Sequence, residues 1–231
     1  MMPNENKHQE IIEKLFNNLP EQDSIVYDGA IDIHKWECSP IRILFYYKET
    51  YGYNDWGGTS ISAHFEKWIK DNIPTYKKMG LLAFLLFETV KNHTILDYDE
   101  TNLKKFYANH DLLIEALSET SIVNIGKISI SQNNTSDCII RHKSIKNSEL
   151  LKNQLELLAP NIIICGGRVT ADSLYVDLNY LSQTKYNFNT AEIIDNKIIA
   201  PYNHLSSSSC WYKKIYNYYI QVSNLIPELK I

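Results

Sequence analysis

The chain has 231 residues, of which 44% are hydrophobic and 22% are charged. This composition is typical of a globular protein with a buried core. The formal charge of −4 excludes a general electrostatic attraction to nucleic acid, so any binding of DNA or RNA requires a local basic patch.

The spacing of the cysteines and the length of the apolar segments indicate which cofactors and which cellular location to expect. Four cysteines stand far apart without a CxxC pair, at Cys38, Cys138, Cys165 and Cys210. Because zinc and iron–sulfur sites usually contain a close pair, we expect buried free thiols, no metal and no cofactor. The N-terminus has no apolar signal segment, and the most apolar helical stretch, residues 80–90, is too short to cross a bilayer. We therefore expect a cytoplasmic protein that does not enter membranes.

The first half of the chain predicts one buried strand followed by several helices. Apolar residues at helical spacing indicate an amphipathic helix over residues 7–18, and a short strand is expected at 25–27. The continuous apolar run at 41–47 is typical of a strand buried on both faces. A polar, glycine-containing loop follows, and then come helices that begin near Ser60, that cover 76–92 and that cover 99–119, the last as one or two helices.

In the second half, strands alternate with helices. The predicted elements are a strand over 121–131, a polar loop, a helix over 147–158, a strand over 161–165, a helix from Arg168, two short strands within 184–201, and a last helix over 210–222. This alternation predicts an α/β protein with three α/β/α layers and a central, mostly parallel sheet. We expect a single domain over residues 1–231 that contains a helical insertion at 60–119.

The loop after the first buried strand has the side chains of a binding site. Glu49 and Asp55 are carboxylates within one short segment, and Gly52 lets the backbone approach a ligand closely. Tyr51 and Trp56 offer flat faces on which a base can stack. The alternative is an ordinary surface loop whose aromatic rings pack on neighbouring helices.

Two further segments follow or interrupt predicted strands. Asn124 lies within an apolar strand, where its amide either reads the edge of a nucleobase or is a structural group bonded to the backbone. His204 precedes a run of serines that includes Ser206 and Ser207, at the expected start of the last helix. This segment either holds an anion at the helix N-terminus or is a serine-rich cap.

In this order along the chain, the motifs resemble those of the uracil-DNA glycosylase superfamily, and most closely its bacterial branch with a GEAPG first motif and an HPS last motif. Glu49 and Gly52 match the first motif, and Asn124 matches the asparagine of the strand that reads the base. The segment LELLAPNIIICGG is similar to the family's later helix and strand, and the segment that begins at His204 matches the last motif. The resemblance covers roughly residues 40–220.

The chain departs from this branch at several points. Tyr51 and Leu205 replace the two motif prolines. The cysteines that hold an iron–sulfur cluster in the branch are missing. The helical insertion at 60–119 does not resemble the short family segment that carries the ring-stacking aromatic residue.

The resemblance implies a DNA glycosylase that binds a flipped base and hydrolyses its N-glycosidic bond. Glu49, or else Asp55, then orients water or stabilises the cationic sugar, Asn124 reads the base and His204 stabilises the departing base anion. Three further residues are assigned to contacts with the base: Tyr51, Gly52 and Trp56. Four are assigned to contacts with a phosphate: Ser206, Ser207, Arg141 and Lys143. The implied partner is single- or double-stranded DNA, bound by a monomer. The alternative is an inactive or repurposed member that binds a nucleotide, a modified base or a protein.

Overall fold

The computed structural model of the chain describes residue 16 and residues 25–51, 59–130, 135–205 and 211–230. The strands are β1 (Val26–Tyr27), β2 (Gly29–Ala30), β3 (Ile43–Tyr51), β4 (Thr59–Ser60), β5 (Ser121–Ile130), β6 (Ile162–Gly166), β7 (Glu192–Ile194) and β8 (Lys197–Tyr202). The α-helices are α1 (Ile33–Cys38), α2 (Phe65–Lys70), α3 (Pro74–Asn92), α4 (Glu100–Ala108), α5 (His110–Ser118), α6 (Asp137–Lys146), α7 (Ser148–Leu158), α8 (Arg168–Asp172) and α9 (Trp211–Leu225).

Six strands form one central sheet in the order β2-β5-β3-β6-β8-β7. The four inner strands are parallel, while β2 and β7 pair antiparallel at the two edges. The inner strands are continuous apolar runs because both of their faces are covered. The predicted α/β architecture with a mostly parallel central sheet is confirmed.

Helices pack on both faces of this sheet. One face contacts α3 and α5 from the segment predicted as an insertion, together with α9. The other face contacts α7 and α8, with α6 beside them. None of the helices in the described ranges carries an apolar stretch long enough to cross a lipid bilayer.

Several local predictions were wrong. The polar stretch expected as a loop after β5 contains α6, and β3 continues to Tyr51 instead of ending at residue 47. Only Ile140 and Ser144 of α6 are buried, so its apolar pattern is too weak to be recognised. Cys38 and Cys138 are exposed and only Cys165 is buried among the described cysteines.

The position of α6 depends on contacts with distant parts of the chain. Its first residue, Asp137, accepts a hydrogen bond from Lys48 Nζ at 2.6 Å at the end of β3. Arg141 donates to Asp177 at 3.1 Å. These ion pairs join residues far apart in sequence, which periodicity cannot detect. The helix predicted at 7–18 lies outside the described residues except for Phe16.

A buried ion pair joins three elements beside the sheet. Lys127 Nζ on β5 donates to both carboxylate oxygens of Asp28, at 2.8 and 3.0 Å, and to Gln154 Oε1 on α7 at 2.8 Å. Gln154 Nε2 returns hydrogen bonds to the Asp28 carboxylate and backbone carbonyl, at 2.8 and 3.0 Å. Both charged side chains are 1% exposed. Burial lowers the pKa of Lys127, and the neighbouring Asp28 opposes that shift.

Replacing Lys127 by methionine should destabilise the fold strongly. The substitution leaves the Asp28 carboxylate buried without a counter-charge, and we expect the free energy of unfolding to fall by about 3–5 kcal/mol. Urea unfolding followed by circular dichroism measures this loss. Adding Asp28→Asn to the same chain should restore part of it, because the uncompensated charge is then gone.

The matched control is Lys70→Met, which removes an exposed ion pair with Glu66 at 3.3 Å. Its unfolding midpoint should stay near that of the wild type. Equal effects of the two lysine substitutions would contradict a structural role for the buried pair.

Candidate functional site

Side chains from the carboxyl ends of the parallel strands meet in one cavity of about 150 Å³. The register pairs Tyr47 of β3 with Asn124 of β5, and Glu49 with Gly126. Because side chains alternate along a strand, Tyr47, Glu49 and Asn124 project from the same face of the sheet. His204 follows the end of β8 and lines the same cavity. The structure thus brings together Glu49, Asn124 and His204, which the sequence placed in three separate segments.

The opposite wall comes from the first turns of α3. Its lining residues are Ile73, Thr75, Tyr76 and Met79. The Tyr76 ring stacks on Trp68 of α2, with a centroid distance of 4.3 Å. Sequence reasoning missed this wall. Pro74 marks where the helix begins, but no local signal shows that this end of the helix meets the sheet edge.

Glu49 is buried with one oxygen paired and one unpaired. Its side chain is fully buried, and Oε2 accepts a hydrogen bond from Lys143 Nζ of α6 at 2.5 Å. Oε1 has no hydrogen-bond partner among the described residues. The ammonium group compensates the charge of the carboxylate, while Oε1 remains able to accept a hydrogen bond from water or from a ligand N–H.

Gly126 allows this ion pair to form. A Cβ atom at position 126 would lie 2.8 Å from Glu49 Oε2 and 3.0 Å from Glu49 Cβ. It would also lie 3.4 Å from Cδ of Lys143. The absence of a side chain on β5 therefore leaves the space in which Glu49 meets Lys143. The sequence indicated this feature only through a glycine inside a predicted strand, which often marks a place where another part of the chain or a ligand approaches the backbone closely.

His204 lies edge-on to Tyr47, with a ring centroid distance of 4.8 Å and an interplanar angle of 88°. Burial lowers the pKa of His204 to about 4, and the positive charges of Lys48 and Lys78 add to this shift. At neutral pH the imidazole is uncharged, so one ring nitrogen donates and the other accepts. Gly166 leaves room for the ring of Tyr47, which a Cβ atom there would overlap.

The backbone of Asn124 is held by the buried ion pair. Its N–H donates to Asp28 Oδ2 at 2.6 Å, and the residue is 4% exposed. The carboxylate that pairs with Lys127 thus also fixes the strand at the cavity. The side-chain amide of Asn124 can donate and accept at once.

Of the other predicted site residues in the described ranges, Lys143 contacts a residue of the cavity and Arg141 forms an ion pair elsewhere. Lys143 contacts Glu49, whereas Arg141 pairs with Asp177 and is half exposed. Residues that are two positions apart in a helix are rotated by about 200° around its axis, so the side chains of Arg141 and Lys143 leave α6 in different directions. Tyr51 ends β3, and its side chain is not described. Residues outside the described ranges are Gly52, Asp55, Trp56, Ser206 and Ser207.

Within the described ranges, no group of three or more His, Cys, Asp or Glu side chains is arranged to hold a metal ion. The polar groups of the residues that line the cavity include a charge-compensated carboxylate, a neutral imidazole, an amide and the hydroxyl groups of Tyr47, Thr75 and Tyr76. These groups suit hydrogen bonding to a flat polar ring more than the binding of a separate charged group.

The substitution Gly126→Ala should displace Glu49 from Lys143. The added methyl group overlaps the carboxylate, and we expect a destabilisation of about 1–3 kcal/mol in urea unfolding. In a Glu49→Ala background the same substitution should cost less, because the overlapping carboxylate oxygen is gone and only the contact with Cβ of residue 49 remains. Additive effects in this double-mutant cycle would show that the close approach is unimportant.

His204 should remain neutral well below the pH at which an exposed histidine is protonated. Its pKa is lowered in the folded state, so its contribution to stability is complete above about pH 6.5 and is lost as the pH falls toward 4. An NMR titration of the imidazole should give a midpoint near 4. His204→Gln should weaken the pH dependence of stability between pH 6.5 and 4. In the control His34→Gln, which replaces an exposed histidine, the pH dependence should match that of the wild type. A midpoint near 6.5 for His204 would contradict its burial.

The chain matches no protein-family model, and a search of the curated proteins finds no relative. The geometry of the cavity therefore has to support any functional conclusion by itself. The resemblance to the uracil-DNA glycosylase superfamily stays a prediction that rests on motif order.

Proposed function

We propose that the chain has a uracil-DNA glycosylase-like fold and hydrolyses the N-glycosidic bond of a base flipped out of DNA. The observation that supports this proposal is the convergence of Glu49, Asn124 and His204 on one cavity at the carboxyl edge of the sheet. In open parallel sheets, ligands bind at this edge. The three residues are also the ones that the motif resemblance selects.

The size of the cavity favours a base over a whole nucleotide. A volume of about 150 Å³ accommodates one six-membered ring. The sugar and the phosphate then stay outside, as they do when a base is extruded from a strand. The ring of Tyr76, supported by Trp68, offers a flat surface in the wall of the cavity.

Asn124 and His204 have complementary tasks in this proposal. The amide of Asn124 pairs with the polar edge of the base, and a base with a mismatched edge leaves buried groups unpaired. The C1′–N bond breaks with its electron pair leaving on the base. The neutral His204 donates a hydrogen bond to the base as this negative charge develops.

Glu49 completes the reaction. Its Oε1 accepts a hydrogen bond from a water molecule and directs the water oxygen toward C1′, where the new bond forms. The carboxylate also stabilises the positive charge that develops on the sugar. The proton lost by the water passes through the carboxylate, and the departing base takes up a proton, so that the products are the free base and an abasic sugar.

Local positive charge near the cavity supports a nucleic-acid partner despite the net charge of −4. Lys48 and Lys78 lie close enough to His204 to lower its pKa. Lys143 lies beside Glu49 and is about one quarter exposed. Lys78 is buried and Lys143 is paired with Glu49, so contact with a phosphate falls to Lys48, which is partly exposed and would exchange its pair with the exposed Asp137 for the phosphate.

One observation favours the alternative of a base-binding protein without hydrolase activity. The carboxylate of Glu49 is engaged by Lys143 through Oε2, which leaves Oε1 as the oxygen that can contact water. In this case the cavity binds a base or a nucleotide, and Asn124 supplies selectivity without bond cleavage. The two functions differ in whether free base is released.

The test is base release from single- and double-stranded oligonucleotides that contain uracil or another altered pyrimidine, because a single six-membered ring fits the cavity. The wild type should release at least one of these bases. Asn124→Ala and His204→Ala should each lower the rate by about 100-fold or more. The exposed variants Asn102→Ala and His34→Ala are matched controls, and both should retain the wild-type rate.

Wild-type rates in the Asn124 and His204 variants would refute this assignment of the site. If no base is released but a free base binds, and Asn124→Ala abolishes that binding, the protein is a base-binding member without hydrolase activity.

A further inference from the structure

The first turn of α3 lies in the wall of the cavity without a cap. Ile73 occupies the N-cap position, and no side chain in the described part of the chain caps this turn. Pro74 has no N–H, and the first backbone hydrogen bond of the helix runs from Lys77 N to Ile73 O at 3.2 Å. Among the described residues, the N–H groups of Thr75 and Tyr76 therefore have no acceptor.

Three helices of the chain have side-chain caps, whereas α2, α6, α7 and α8 resemble α3 in having no such cap among the described residues. Side chains at the N-cap positions of α1, α4 and α5 accept hydrogen bonds from the first turn, and they belong to Asp32, Asp99 and Asn109. The two aspartates each accept from the second and third N–H groups of their helices, at distances of 2.8 to 3.2 Å. The first turn of α3 contacts the cavity with the corresponding two groups unpaired.

A buried, unpaired acceptor lies in the same cavity. Glu49 Oε1 has no partner among the described residues, although its side chain is fully buried. Buried polar groups are rarely left without hydrogen bonds, so a polar occupant is expected between the carboxylate and the helix. A water molecule supplies the donor that Glu49 needs. An oxygen atom of the ligand supplies the acceptor that the helix needs.

The chemistry of a helix N-terminus defines what it binds. Free N–H groups and the positive end of the helix dipole favour an oxygen that carries negative charge, whether partial or full. An amino group at the same position would place its own N–H groups against the N–H groups of the helix, and none of these donors would find an acceptor. A helix N-terminus without a cap therefore favours an oxo over an amino substituent on a ring.

We propose that the first turn of α3 is a specificity element of the cavity, in which the N–H groups of Thr75 and Tyr76 donate to an exocyclic oxygen of the bound base. This inference rests on the proposed function for the identity of the ligand as a base. It adds the residues of the helical segment, which no motif assigned, to the recognition of the ring. It also predicts selection of oxo-substituted rings over amino-substituted ones.

The test is to cap the helix. Ile73→Asp places at this N-cap the side chain that Asp32 and Asp99 provide elsewhere, and so occupies the two N–H groups internally. Ile73→Ser does the same without added charge, and Ile73→Ala is the reference because it removes the side chain without capping. Ile73 is 39% exposed, which permits all three substitutions.

Binding of uracil and of 2-aminopyrimidine, a ring of similar size without an oxygen, is measured by NMR titration, and thermal unfolding is measured in parallel. Relative to Ile73→Ala, the Ser and Asp variants should unfold at higher temperature and bind uracil about tenfold more weakly or worse. The affinity for 2-aminopyrimidine should stay the same in the Ser and Ala variants.

The outcomes separate this inference from the proposed function. The inference would be overturned if the capped variants bound uracil as tightly as Ile73→Ala, or if the wild type bound no uracil. The proposed hydrolase function would still be supported in that case if the protein released a base from DNA in the excision assay. Weaker uracil binding in the capped variants, in a protein that releases no base from DNA, would support the inference and reject hydrolysis.

Discussion

The buried ion pair between Asp28 and Lys127 is the interaction on which the rest of the structure depends. It joins the chain before β2 to β5, and Gln154 extends it to α7. Two opposite charges removed from water are tolerated only when further hydrogen bonds satisfy them, and here the carboxylate also accepts from the backbone of Asn124. The same network that locks β5 in the fold therefore positions a residue of the cavity.

Beside this network, two ionisable side chains of the cavity have different environments: Glu49 forms an ion pair, whereas His204 is buried as the neutral imidazole. Glu49 has a counter-charge in Lys143, and the missing side chain of Gly126 allows the two to meet. Burial together with the nearby Lys48 and Lys78 favours the neutral form of His204. Environments that divide charge between neighbouring groups in this way are typical of acid–base sites. The proposed roles of the two residues follow from that division.

The helices between β4 and β5 cover the sheet and also form a wall of the cavity. Their apolar faces, with that of α9, cover one side of the sheet and bury a large part of the core. The same packing brings the first turn of α3 to the carboxyl edge, opposite Glu49. A helical segment without motif similarity thus becomes a wall of the cavity, and the polar backbone at its start becomes available to a ligand.

The sequence alone determined most of the alternation of strands and helices and the mostly parallel sheet, because these depend on local periodicity. It also singled out Glu49, Asn124 and His204 as polar residues within or after predicted strands. Only the tertiary structure decided the partners of these residues. Lys143 lies in a stretch whose weak apolar pattern hid a helix, and it pairs with a residue 94 positions away. Which end of α3 faces the cavity, and how far burial shifts the pKa of His204, depend on the packing of helices onto the sheet, and no local pattern encodes that arrangement.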